Sequence, residues 1–268
     1  MHLRRASPGR GSLRRPSPRR PDPGLLRRRA ALLRWAGADW LYAARWELRS
    51  LRRGALSPEH AAATGGAVPV VLIPGVFESW RFLQPLIEAL HAGGHPVHVV
   101  SSLGFNGGEV PEAARAVRRH VDEQGLGVRG GLALVGHSKG GLIGKLLLAH
   151  HNADGRFRHL VAVNSPFSGS PLARFVPLRA VRVFAPGGEL LRTLTAVEDV
   201  NASITSVFSR VDPNIPGSSR LAGARNVSVD TVGHFRLLAD PRLAEAVLAA
   251  LAALEGPGRP GSPSRGSA

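Results

Sequence analysis

Residues 136–140 read Gly136-His137-Ser138-Lys139-Gly140, a G-x-S-x-G pattern. As a string it is weak, because a chain with 32 glycines meets such pentapeptides by chance. Its setting carries the chemistry. It directly follows the apolar run Leu132–Val135 and opens the helical stretch KGGLIGKLLLAHH. A strand turning tightly into a helix presents a serine hydroxyl on a strained corner, at a helix N-terminus where developing negative charge is favoured. A serine hydroxyl needs a base to become a nucleophile. In such sites the acid and then the histidine follow the serine along the chain. His234 fits the base: it follows the run NVSVD and the turn Thr231-Val232-Gly233, and precedes the closing helix. Asp212 fits the acid, four residues past the expected strand Ser203–Phe208. Asp230 is its competitor, with Glu198 and Asp199 behind it. Two backbone N–H groups should receive the oxyanion. One belongs to Lys139, the residue after the serine. The other belongs to Val76, in the loop Ile73-Pro74-Gly75-Val76-Phe77, since Pro74 has no N–H to donate.

These residues need a scaffold of strands alternating with helices, and the chain supplies one. Strands are expected at Val68–Ile73, Pro96–Ser101, Leu132–Val135, His159–Val163, Ser203–Phe208 and Asn226–Asp230. Helices are expected at Trp80–His91, Val110–Gln124, Lys139–His151 and Asp240–Leu254. Nearly continuous apolar strands between helices imply a mostly parallel sheet covered on both faces, an α/β fold. The intervening residues Asn164–Ala202 carry Phe167, Leu172, Phe175, Val176, Leu178, Val181, Val183 and Phe184. This stretch reads either as a partial lid or acyl-pocket wall, or as an ordinary packed insertion.

The chain has 268 residues, no cysteine and a net charge of +16. Without cysteine there is no disulfide framework, thiolate metal site or cysteine nucleophile. Residues 1–53 hold 15 Arg against Asp22, Asp39 and Glu47, so most of the net charge sits in these first 53 residues. The organisation read from composition is a disordered Arg/Pro-rich leader over 1–24, a basic amphipathic helix and linker over 25–56, the catalytic domain over 57–255 and a flexible tail over 256–268. Leu32, Leu33, Trp35, Ala36, Trp40, Ala43, Ala44 and Leu48 recur at roughly helical spacing in the basic helix. No apolar run is long enough to cross a membrane, and no standard secretory signal is seen. The expectation is a cytoplasmic protein, peripheral on an anionic membrane through this helix, the alternative being that the Trp/Leu face of the helix packs on the catalytic domain. No nucleic-acid module accompanies the arginines. Gly125-Leu126-Gly127-Val128-Arg129-Gly130 matches G-x-G-x-x-G but follows a helix and precedes a strand, the reverse of a dinucleotide site. No metal-ligand spacing is evident, and no cofactor is expected.

Three segments, VVLIPGVFESW, LVGHSKGGLIG and SITSVFSRVDPNIP with LAGARNVSVDTVGHFRLL, carry a resemblance spanning about residues 68–254. They resemble the α/β-hydrolase lipases and esterases, particularly the small bacterial triacylglycerol lipases. The resemblance implies Ser138 as nucleophile, Asp212 as acid, His234 as base, and Val76 and Lys139 as oxyanion donors. It implies hydrolysis of an ester or lipid substrate through an acyl-enzyme. The family often has His where this chain has Pro74, and Met or Gln where it has Lys139. A cation beside the nucleophile bears on substrate preference. The competing readings are an acyltransferase or thioesterase using the same triad, and a non-catalytic protein that binds a membrane surface.

Overall fold

The protein is described by a computed structural model over residues 23–51 and 67–254. The proposed leader apart from positions 23 and 24, the linker, residues 57–66 and 255 of the expected domain, and the tail lie outside these residues. Helix α1 spans Pro23–Leu51. The sheet is built from β1 (Val70–Ile73), β2 (Val97–Val99), β3 (Leu132–His137), β4 (Phe157–Val163), β5 (Ile204–Val211) and β6 (Arg225–Val232). All neighbouring strands are parallel, in the order β2-β1-β3-β4-β5-β6. Helices α2 (Gln84–Ala92), α3 (Val110–Glu123), α4 (Lys139–His150), α5 (Arg179–Arg182), α6 (Glu189–Ala196) and α7 (Pro241–Ala252) complete the fold. Among the described residues no helix is long and apolar enough to cross a membrane.

The alternation of side chains along each strand explains why both faces are covered. Val71, Ile73, Leu132, Leu134, Leu160 and Ala162 pack with α3 and α4. Their neighbours Val70, Leu72, Ala133, Val135, Val161 and Val163 pack with α2 and α7. A strand buried on both sides must be apolar at every position, which is the pattern of VVLI and LALV.

Two boundaries differ from the sequence expectation in ways that matter. The stretch expected as one helix from Trp80 is split: a 3-10 turn covers Trp80–Leu83, and α2 begins at Gln84 with a proline in its first turn. Strand β5 continues past Phe208 to Val211. The polar residues Ser209 and Arg210 end the apolar run, yet the backbone goes on pairing with β6 around a bulge between Ser209 and Val211. Asp212 therefore directly follows the strand, rather than lying four residues beyond it.

Candidate active site

Three loops at the same end of the sheet bring the candidate residues together. Ser138 sits between β3 and α4 with φ 51° and ψ −116°, a conformation non-glycine residues rarely adopt. Its neighbours make the turn sterically feasible. A Cβ on Gly136 would lie 2.4 Å from the Gly140 carbonyl carbon, and one on Gly140 would lie 2.2 Å from the Ile73 oxygen. The Lys139 N–H is among the first-turn donors a helix leaves without an intrahelical acceptor. Ser138 and Val76 line one cavity of about 660 Å³.

His234 lines the same cavity. Its Nδ1 donates to Asp212 Oδ2 at 2.7 Å, with both side chains buried. The other Asp212 oxygen accepts N–H bonds from Asn214 (2.8 Å) and Ile215 (3.0 Å). Burial, the largest influence, works against an imidazolium at His234. The charge and hydrogen bond of Asp212, with smaller contributions from Glu78 and Asp39, outweigh it, so His234 titrates above the ordinary histidine value. Burial likewise works to raise Asp212, but the His234 charge and hydrogen bond, joined by the two amides, hold it below the usual carboxylate range. Asp230 is far more exposed, and its carboxylate accepts from Arg210 Nε at 2.6 Å. The structure thus pairs His234 with Asp212 and leaves Asp230 at the surface. The Ser138 hydroxyl and the imidazole make no mutual hydrogen bond. Such contacts are commonly long without substrate and tighten when it binds.

Lys139 contributes differently from what its position beside Ser138 suggests. Its side chain is buried and is not part of the cavity lining. Nζ donates to the Asn106 carbonyl (2.8 Å), the Asn106 side-chain oxygen (3.1 Å) and the Gly108 carbonyl. Burial lowers this ammonium to about 8. The cation ties down the loop after β2 and is not offered to substrate. Asn106 in turn donates Nδ2 to the Pro74 carbonyl at 2.7 Å, bracing the loop that carries Val76.

Several supports escape sequence reasoning. Glu78 is buried, accepts the Gly75 N–H at 2.7 Å, and faces His137 Nδ1 at 2.9 Å. His137 Nε2 donates to the His234 carbonyl at 3.2 Å. Asn164, at the end of β4, donates Nδ2 to that carbonyl at 2.9 Å and accepts the Ser209 N–H at 2.9 Å. Asp39 on α1 accepts the His234 N–H at 2.8 Å. The one sequence signal for the last is its spacing: Ala36, Asp39 and Ala43 share a helical stripe, so the acid sits among apolar residues.

The cavity walls are mainly apolar. Leu172, Ala173, Val176, Leu178, Val181 and Phe184 come from the stretch between β4 and β5, which thus forms a pocket wall. Trp40, Ala43, Ala44 and Glu47 come from α1.

A family model described as the alpha/beta hydrolase fold matches residues 68–186. Comparison with curated protein sequences gives no match. Among solved structures, the chain is similar to a mature Bacillus licheniformis lipase at 14% identity and TM-score 0.58, covering 71% of this chain and 94% of that one. It is similar to Aspergillus fumigatus lipase B at 16% identity and TM-score 0.60, covering 71% of this chain and 53% of that longer one. A Paleococcus ferrophilus monoacylglycerol lipase gives 16% identity and TM-score 0.51, over 70% of this chain and 96% of that one. At these identities the likeness is one of fold.

Proposed function

We propose that this member of the α/β-hydrolase superfamily is a serine ester hydrolase acting on lipophilic carboxylic esters through an acyl-enzyme on Ser138. The observation that carries the reading is a serine in a strained strand-to-helix turn that opens on the same apolar cavity as a buried histidine paired with Asp212. In the reaction Ser138 Oγ attacks the ester carbonyl carbon while His234 Nε2 takes the hydroxyl proton. Asp212 keeps the proton of Nδ1 in place and stabilises the imidazolium that forms. The tetrahedral oxyanion is received by the backbone N–H groups of Val76 and Lys139. Collapse breaks the ester C–O bond, and His234 returns its proton to the leaving alcohol. Water, deprotonated by the same imidazole, then attacks the acyl-enzyme and releases the acid and Ser138.

Substrate class follows from the walls. Trp40, Phe77, Leu172 and Leu178 line the cavity and remain partly open to solvent, so a largely apolar rim surrounds the serine. An acyl chain entering here exchanges water for apolar contact, worth about 0.8 kcal/mol per buried methylene. The basic charge of the chain and this rim together support work at an anionic lipid surface.

A fluorophosphonate probe should label the wild type and fail to label Ser138→Ala. A panel of p-nitrophenyl esters should show kcat/KM rising from acetate to longer acyl chains, with free acid as product. Labelling that persists in Ser138→Ala, or a folded wild type that neither labels nor hydrolyses, overturns the reading. Transfer of the acyl group to an added alcohol in preference to water would make the protein an acyltransferase.

A further inference from the structure

We propose that Asp39, on helix α1, is a positioning residue of the site: its carboxylate fixes the peptide that carries the His234 imidazole. The inference rests on the serine-hydrolase reading for its effect on turnover, and on geometry alone for the contact. Asp39 is 1% exposed, although it lies on a helix otherwise rich in arginine. Its Oδ2 accepts the N–H of His234 at 2.8 Å. Its Oδ1 accepts the N–H groups of Phe235 at 3.0 Å and Arg236 at 2.9 Å. Three successive amides thus converge on one carboxylate from nearly two hundred residues away in the chain. A buried carboxylate is tolerated only when hydrogen bonds compensate its lost hydration, and such charge-assisted bonds are short and directional.

The loop is shaped to receive this group. Gly233 has φ 134°, in the region that favours glycine, and a Cβ there would lie 2.4 Å from Asp39 Oδ1. Across the next peptide unit, whose Phe235 N–H also meets Asp39, the His234 carbonyl accepts from Asn164 and His137. The histidine backbone is therefore held at both its N–H and its C=O, while Asp212 holds the ring. The helix itself is seated beside the contact: Trp40 meets Phe235 edge-on at 5.2 Å between ring centroids, and Ala43 is buried. Helix α1 is thereby a working part of the site, setting the height and orientation of the base above Ser138.

Displacing a catalytic group by about 1 Å can cost about 100-fold in rate. Asp39→Ala is expected to lower kcat and the rate of fluorophosphonate labelling by about that factor, with KM little changed. Asp39→Asn keeps one acceptor oxygen and should recover part of the loss. A second readout separates positioning from framework. The charged and titratable groups facing His234 are Asp212 from the end of β5, His137 and Glu78 from the β3 and β1 sides, and Asp39 from α1. Removing the Asp39 charge should shift the acid limb of kcat/KM to lower pH, and shift the His234 NMR titration the same way in the Ser138→Ala background. That NMR experiment reads the contact even if the chain hydrolyses no ester, so failure of the functional reading is told apart from failure of this one. Folded Asp39 variants with unchanged turnover, labelling rate and histidine titration overturn the inference. Loss of the fold in both variants also overturns it, by making Asp39 a framework residue only.

Discussion

An imidazole is oriented by a carboxylate only when the two are in contact and shielded from water, and here one aspartate meets both conditions. Asp212→Asn is expected to cost about 10⁴-fold in turnover, the scale seen when such an acid is lost. Asp230→Asn removes only an exposed partner of Arg210 and should leave turnover near wild type. The reverse ranking in folded variants would move the acid to Asp230. The pH profile follows from the same pair. As the proposed base His234 would act only when neutral, and its pKa is raised. Activity should therefore fall with decreasing pH through a midpoint above the ordinary histidine value, and Asp212→Asn should move that midpoint down. Chain order and turn composition made the loops carrying Ser138, Asp212 and His234 legible, because each ends a strand with residues that break it. The supports Glu78, His137 and Asn164 were not legible, and of Asp39 only its place in an apolar stripe was. Apart from the bond of Glu78 to the nearby Gly75 N–H, their contacts join residues distant in sequence, and no spacing rule encodes them.

At the scale of elements, the strained turn between β3 and α4 depends on close approach of backbones. A methyl group on Gly140 would meet the Ile73 carbonyl, which belongs to the neighbouring strand and cannot swing away as a side chain can. Gly140→Ala should destabilise the protein by about 1–3 kcal/mol or more, the usual scale of overpacking, and slow probe labelling in the fraction that folds. Chemical denaturation against wild type measures the first effect, and an unchanged midpoint would contradict it. The wall between β4 and β5 makes a separate prediction. Val181 lines the cavity, so Val181→Phe should move the preferred acyl chain to shorter esters while leaving acetate turnover little altered. Strands buried on both faces were readable from sequence because every position in them must be apolar. The last three residues of β5 were not, because Ser209 and Arg210 are polar while the backbone through Val211 still pairs with β6.

At the scale of the whole molecule, α1 carries two properties that its sequence blends into one stripe. Asp39 and Ala43 turn inward onto the domain, whereas Leu33, Trp35, Leu41 and Leu48 stay exposed. Leu41 and Leu48 lie on the far side of the helix from the Asp39–Ala43 stripe, so the proposed surface attachment would draw on a side that packing leaves open, and deleting the helix would remove both together with a cavity wall. The informative change is to remove residues 1–22, which hold seven Arg against Asp22, while keeping α1 and the site intact. Near an anionic bilayer each basic residue contributes about 1 kcal/mol, an attraction that fades as salt shortens the screening length. The full chain should co-sediment with vesicles containing anionic lipid at low salt, less so at high salt, and little with neutral vesicles. The shortened chain should bind more weakly yet keep its turnover on a soluble ester. Equal binding by both chains at low salt would assign attachment to α1, through its own arginines and exposed apolar residues, rather than to the leader's charge, and binding by neither would remove the lipid surface from the protein's function.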